Sequence, residues 1–335
     1  MKRVKNPELP TVKPGFAGNK VDQRGRFVDE HDPYLPSLIQ VLKWKLGGNP
    51  LKEAKQNDPW KVDVLDPLEF FVSDDDGIMW LGHASFYVRI GGVALITDPV
   101  FGDPPFLSRF VPVPSEIENI PQLDYVLISH DHRDHLDEGS IRELTNIFPR
   151  AAVIAGLGSE PLLRKWTEPT NSIMTAGWFQ EFNSEIPDVK IYFLPARHWA
   201  RRGLLDTNSR LWGSYIIQVH GTTIFFGGDS AYSKYYREIG ELFPRVDYFI
   251  TGIGAYEPRW FMKPIHKNPD EAVQAFVDMN AGTLIPMHYG TFDLSDEPPG
   301  QPLRDLKAAA KAAGVEDKIY PLAINEALLI EDNHE

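Results

Sequence analysis

Six consecutive residues, His130-Asp131-His132-Arg133-Asp134-His135, place three imidazoles and the Asp134 carboxylate on one short stretch of chain. Protonated, such a cluster repels itself. With neutral rings and an ionised carboxylate it becomes a set of good ligands for a divalent cation such as zinc. The bland alternative is a solvated histidine-rich turn. Against it stands the apolar run Tyr125-Val126-Leu127-Ile128-Ser129 just before the cluster. A strand that ends in a loop fixes the backbone, and the loop aims its side chains.

Three further apolar runs end in a residue of ligand type. Tyr192–Arg197 leads to His198, Thr223–Gly228 to Asp229, and Leu284–Met287 to His288. One histidine after a strand is more often a satisfied structural residue; four such junctions in one chain point to a shared centre. The expected division gives His130, His132 and His198 to one metal, and Asp134, His135 and His288 to a second, with Asp229 between them. Two Zn2+ ions so held keep open positions and can share a hydroxide, a nucleophile available at neutral pH. Two zinc ions, two carboxylates and one hydroxide leave about one net positive charge, which suits an anionic substrate. Imidazole and carboxylate also accept iron or manganese. The chain has no cysteine, which excludes disulfides, thiolate metal sites and a cysteine nucleophile.

The elements that must position these groups begin near Gly77. Strands are expected at Ile78–Leu81, Ser85–Ile90, Val93–Thr97, Tyr125–Ser129, Ala152–Ala155, Val189–Leu194, Leu211–Val219, Thr222–Phe226, Tyr248–Ile253, Thr283–Ile285 and Ala327–Ile330. Helical spacing falls between them at Glu138–Phe148, Glu160–Trp166, Lys234–Phe243, Asn268–Met279 and Leu303–Ala313. Hairpins in both halves argue for an α+β fold of two mixed sheets with helices on the outer faces, rather than one doubly wound sheet. Residues 1–75 are proline-rich and show no sustained strand period. They hold one apolar helical segment, Leu38–Leu46, ended by Gly47-Gly48. The expected organisation is an N-terminal extension over 1–75, packed on the core as a possible lid or lipid-contact segment, and a hydrolase domain over 76–335.

In type and order these residues resemble the metallo-β-lactamase superfamily, whose fold is a four-layer αβ/βα sandwich with the metals at one edge. The stretches Trp80–Ser85, Thr97-Asp98-Pro99, Arg197-His198-Trp199, Leu211–Ser214 and Gly254–Lys263 are similar to the zinc-dependent N-acyl-phosphatidylethanolamine-hydrolysing phospholipases D. That resemblance reaches back to about Arg26. It implies phosphodiester hydrolysis yielding N-acylethanolamines and phosphatidic acid. It adds His266 as a substrate-phosphate contact or proton donor, so that Asp134 and His266 are the candidate catalytic residues. It also marks His83 and Asp98 as groups that fix loops or orient ligands; Asp98 could accept the free ring N–H of a ligand histidine. Tyr256 and Trp260 are expected in the pocket wall or in plain packing. Arg133 departs from the pattern, standing where the animal enzymes carry an aromatic residue.

Composition limits the partners. Net charge is −13, from 47 acidic and 34 basic residues, which argues against nucleic acid because phosphate binding needs a basic face. The expected partner is a phospholipid or small phosphodiester, with peripheral membrane contact through apolar groups. The first residues carry no apolar stretch behind their basic ones, so the expected location is cytoplasmic. Two other readings use the same residues: a lactonase or amidohydrolase of this fold, and a non-catalytic, metal-stabilised binding protein.

Overall fold

Along Gly77–Gly82 successive side chains face opposite ways, as a strand requires. In the computed structural model, which describes residues 2–112 and 117–330, both faces are buried. Ile78 and Trp80 join the large core, whereas Met79 and Leu81 join a second core with the helix residues Ile141, Leu144 and Leu163. The alternation repeats in the neighbouring strands: Leu95, Leu127 and Ile154 face the first core, and Ile96, Val126 and Val153 the second. One face of this sheet therefore meets another sheet and the other meets helices.

This sheet has seven strands, in the order Ala327–Leu329, Gly77–Gly82, Ser85–Ile90, Val93–Thr97, Tyr125–Ile128, Ala152–Gly156 and Ile173–Ala176. The second has six: Gln180–Glu181, Val189–Leu194, Ser214–Val219, Thr222–Phe226, Val246–Gly252 and Ala281–Met287. In each, antiparallel hairpins give way to parallel strands, with Val126 beside both Ile96 and Val153, and Ile250 beside both Phe226 and Ile285. Helices Tyr235–Leu242, Pro269–Asp278 and Gln301–Ala313 bury apolar faces in the large core. Phe249 of the second sheet meets Tyr236 and Phe276 at 6.1 and 6.0 Å between ring centres. Helix, sheet, sheet, helix is the expected four-layer α+β arrangement.

The structure corrects three expectations. Leu211–Gly213 is not strand: Leu211 N–H donates to Leu157 O and Gly213 N–H to Ser129 O, so this backbone bonds to the other sheet's loops before the strand starts at Ser214. The strands at Ile173–Ala176 and Gln180–Glu181 went unread because they are too short to display a period. Residues 1–75 contain a three-stranded sheet of Lys2–Val4, Asn19–Val21 and Phe27–Val28, again too short for a pattern. The helix at Leu38–Leu46 does form, closed by a capping box between Ser37 and Gln40. The segment is tied down along its length, through Val12 N–H to Phe179 O, Phe27 N–H to Asn208 O, and Trp44 Nε1–H to Asp296 at 3.0 Å. No helix among the described residues is long and apolar enough to cross a membrane.

Candidate metal centre

Six of the site loops leave their strands at one edge of the sandwich. His83 follows Gly77–Gly82, Asp98 follows Val93–Thr97, and the 130–135 loop follows Tyr125–Ile128. Asp229 and His288 follow Thr222–Phe226 and Ala281–Met287, and His198 lies just beyond Val189–Leu194. Close approach demands glycine at Gly228, where φ is +51° and an added Cβ would stand 2.6 Å from the Ser129 Cβ. Three site residues hold the left-handed backbone that side chains other than glycine rarely adopt, with positive φ at His83 (52°), Asp98 (34°) and His288 (63°).

All seven residues expected as ligands converge, and His83 and His266 join them. Four groups of potential ligand atoms lie within 4.8 Å of one another, among them His130, His132, His198 and Asp229, and a second set of His83, Asp134, His135 and His288. His132 Nδ1 lies 2.8 Å from His130 Nε2 and 3.2 Å from His198 Nε2. Nitrogens sharing one tetrahedral zinc stand roughly 3.3 Å apart. Asp229 lies between the two sets: Oδ2 is 3.9 Å from His130 Nε2, 3.8 Å from His198 Nε2 and 3.2 Å from His135 Nε2, while Oδ1 is 3.0 Å from His288 Nε2. His135 Nε2 and His288 Nε2 are buried yet satisfy no hydrogen-bond geometry despite those distances. Both nitrogens face the shared centre, and this donor set fits divalent cations once the rings give up their protons.

Ring orientation is set from behind. Asp98, fully buried, accepts His135 Nδ1–H at 2.7 Å, Ser129 N–H at 2.7 Å and the Ser129 hydroxyl at 2.5 Å. That hydroxyl lies 2.9 Å from His130 Nδ1 and can accept its proton. His198 Nδ1 donates to Ile265 O at 2.9 Å. In all three rings Nδ1 is held from behind, and Nε2 is turned toward the centre. His83 Nε2 sits 3.2 Å from Asp134 Oδ2 and orients that carboxylate.

Protonation follows from burial and crowding. Burial, with the neighbouring imidazoles, holds His130 and His198 well below the usual histidine range, and His132 is lowered by burial too. Burial would raise the Asp134 and Asp229 carboxyls, but the surrounding histidines, His135 foremost, outweigh it and hold both well below their ordinary values. Burial opposes charge on His135 and His288 as well, yet the carboxylates win: His135 lies well above its usual range and His288 is pushed up to about 9. His266 is pushed down to about 3, mainly by burial. Its Nδ1 stands 3.9 Å from Asp229 Oδ2.

Several supports carried no sequence signal. Asp131 is paired with Arg210, which also binds Asp206, bracing the ligand loop from outside. Lys267 is 2% exposed and donates to Ser230 O at 3.1 Å, beside Asp229. Tyr256 is buried with its hydroxyl on Asp305 at 2.6 Å, so it packs, whereas Trp260 is half exposed.

An edge lined by histidines and aspartates in this way, on two such sheets, defines a class. A family model described as a beta-lactamase superfamily domain matches residues 94–289, and the chain belongs to the metallo-β-lactamase superfamily. It is a metal-dependent hydrolase of that fold. Among its relatives, N-acyl-phosphatidylethanolamine-hydrolyzing phospholipase D 1 of Caenorhabditis elegans is 34% identical over 284 residues, 77% of this chain and 78% of the relative. The mitochondrial N-acyl-phosphatidylethanolamine-hydrolyzing phospholipase D of Saccharomyces cerevisiae is 31% identical over 330 residues, 90% of this chain and 66% of that protein. Igni18, a metallo hydrolase from Ignicoccus hospitalis, superposes with a TM-score of 0.59 over 77% of this chain and 99% of its own, at 19% identity, a likeness of fold alone.

Proposed function

We propose that this protein is a dinuclear zinc hydrolase that cleaves a phosphodiester bond, in the manner of a phospholipase D acting on N-acyl-phosphatidylethanolamine-like lipids. The observation that carries the reading is Asp229, whose carboxylate lies between two sets of ligand atoms, within 3.9 Å of His130 and His198 on one side and of His135 and His288 on the other. One ion is assigned to His130, His132 and His198, the other to Asp134, His135 and His288, with Asp229 shared. When bound, the ions supply charge that neutralises phosphoryl oxygens and a water ionised at neutral pH.

The chain's own groups do the rest. A neutral His266 offers one ring N–H to a phosphoryl oxygen, and its low pKa favours that role over proton donation. Asp134, held by His83, fixes the position of attack. A lipid substrate is supported by the helix Leu38–Leu46. Its inner residues Val41 and Trp44 pack on Phe261, Met262 and Ile265, next to His266. Its outer residues Leu38, Ile39 and Leu46 are 73%, 78% and 83% exposed beside Lys43 and Lys45. An apolar face flanked by lysines suits the surface of a bilayer or micelle, and residues 1–75 thereby act as the lipid-contact segment.

The test is a substrate panel on the metal-loaded protein: N-acyl-phosphatidylethanolamine in micelles, bis-(p-nitrophenyl) phosphate and an acyl lactone. Phosphodiester cleavage that stops on chelation and returns with zinc is expected. Lactone hydrolysis without any phosphodiester cleavage overturns the assignment.

A further inference from the structure

Lys267 is buried, directly follows His266, and enters none of the steps above. Its ammonium donates to Ser230 O at 3.1 Å and stands 5.5 Å from the centre of the Tyr236 ring. Among the described residues it has no ion pair. Burying an ammonium against one carbonyl and one ring is unfavourable, and an apolar side chain of the same shape would avoid that penalty. Stability alone does not account for a lysine here.

The His266 ring supplies another reason. His130, His135 and His198 each have Nδ1 held from behind. The His266 ring makes no hydrogen bond among the described residues and faces Asp229 Oδ2 across 3.9 Å. Where the ring points therefore depends on the backbone to either side. Before it, Ile265 O accepts the His198 Nδ1–H. After it, the Lys267 side chain crosses to Ser230 O, and Ser230 follows Asp229. Ser230 is tied in turn to the His198 loop: its hydroxyl accepts Arg197 N–H at 3.0 Å, and Ala231 N–H donates to Arg197 O at 2.9 Å. Met262 O and Arg259 also bind the His266 backbone, but both lie in the adjoining helical turn and not on a ligand loop. His266 is thus slung between the loops of two candidate ligands, His198 and Asp229.

We propose that Lys267 is a positioning residue, whose side chain sets His266 against Asp229 and so fixes where His266 meets a phosphoryl oxygen. This rests on the phosphate-contact role of His266 in the phosphodiesterase reading. Lys267 then acts through His266 and has no separate effect on the bound anion.

The experiment is a double-mutant cycle on the metal-loaded full chain, read by calorimetric binding of inorganic phosphate. His266→Ala is expected to weaken phosphate about tenfold, the worth of one hydrogen bond to a charged group. Lys267→Met keeps the stem and removes the donor; it should weaken phosphate about fivefold, with metal content unchanged. The double variant should match His266→Ala alone. Urea unfolding of the metal-free Lys267→Met protein should shift little, because relief of the buried charge offsets the carbonyl left without its donor. Independent, additive losses overturn the proposal, as do full phosphate affinity or lost metal in Lys267→Met, or an unaltered protein that binds no phosphate. Should Lys267→Met fold poorly, Lys267→Gln, which keeps a shorter donor, decides by the same cycle. Failure of the phosphodiesterase reading shows separately, as absent turnover of bis-(p-nitrophenyl) phosphate and phospholipid while phosphate still binds and the cycle stays non-additive.

Discussion

Replacing Asp98 by asparagine probes the device that aims the ligands without touching a ligand. One oxygen of Asp98 accepts the His135 ring N–H and the Ser129 hydroxyl, and the other accepts the Ser129 backbone N–H. An amide must turn its NH2 toward one of these sides. Facing His135, it opposes a donor with a donor, and the ring escapes only by moving its proton to Nε2, the atom that faces the metal. Facing Ser129, it leaves a buried backbone N–H unmatched. Either choice costs about 1–3 kcal/mol. The disturbance extends to both ligand sets, because the Ser129 hydroxyl also contacts His130. Metal affinity should therefore fall roughly 10- to 100-fold, the usual effect of losing a partner behind a ligand. Competition against a chelating dye measures the affinity, and urea unfolding of the metal-free protein separates out the stability cost. Unchanged affinity in a folded Asp98→Asn protein would refute the orientation argument.

Metal uptake should release protons. In the metal-free protein His135 and His288 have raised pKa values, the latter about 9, so at pH 7 both rings are protonated and must lose about two protons to bind. Affinity should consequently climb with pH through 7 and on past the His288 value of about 9; calorimetry in buffers of different ionisation enthalpy should detect the release, and its absence at pH 7 contradicts the assignment. His266→Ala should keep its metal while kcat drops about 100-fold, the scale for one lost transition-state donor; metal analysis beside the kinetics distinguishes this from site collapse. Asp58 is held below its usual pKa: burial would raise it, but Arg304 and the backbone N–H groups of Gly300 and Trp60 prevail. A depressed folded pKa stabilises above the unfolded value of about 4 and is lost as pH falls. Asp58→Asn should thus cost about 1 kcal/mol at pH 7, half-exposed Arg304 limiting the figure, and progressively less as pH falls through the depressed folded value, as read by chemical denaturation.

The ligand types were legible because metal chemistry concentrates rare residues in a short loop after an apolar strand, as at His130–His135. Layering was legible too, because strand runs, hairpins such as Ser85–Ile90 with Val93–Thr97, and helical stretches mix in both halves of the chain; that Ile78 and Trp80 face one core and Met79 and Leu81 the other was not, since all four are apolar. Short elements were not: two or three residues at Asn19–Val21 or Gln180–Glu181 carry no period. Their pairing comes from partners distant in sequence, such as Gln180 opposite Phe193.

Sequence by itself thus determined which side chains could bind a cation and which strands would carry them, because both are local properties of composition and spacing. Tertiary structure decided what holds those side chains in place: Asp98 behind His135, Ile265 O behind His198, Arg210 against Asp131 and buried Lys267 beside Asp229. These contacts join residues tens of positions apart, and a hydrogen bond formed across such a gap exists only once the strands that carry the two loops have been brought side by side.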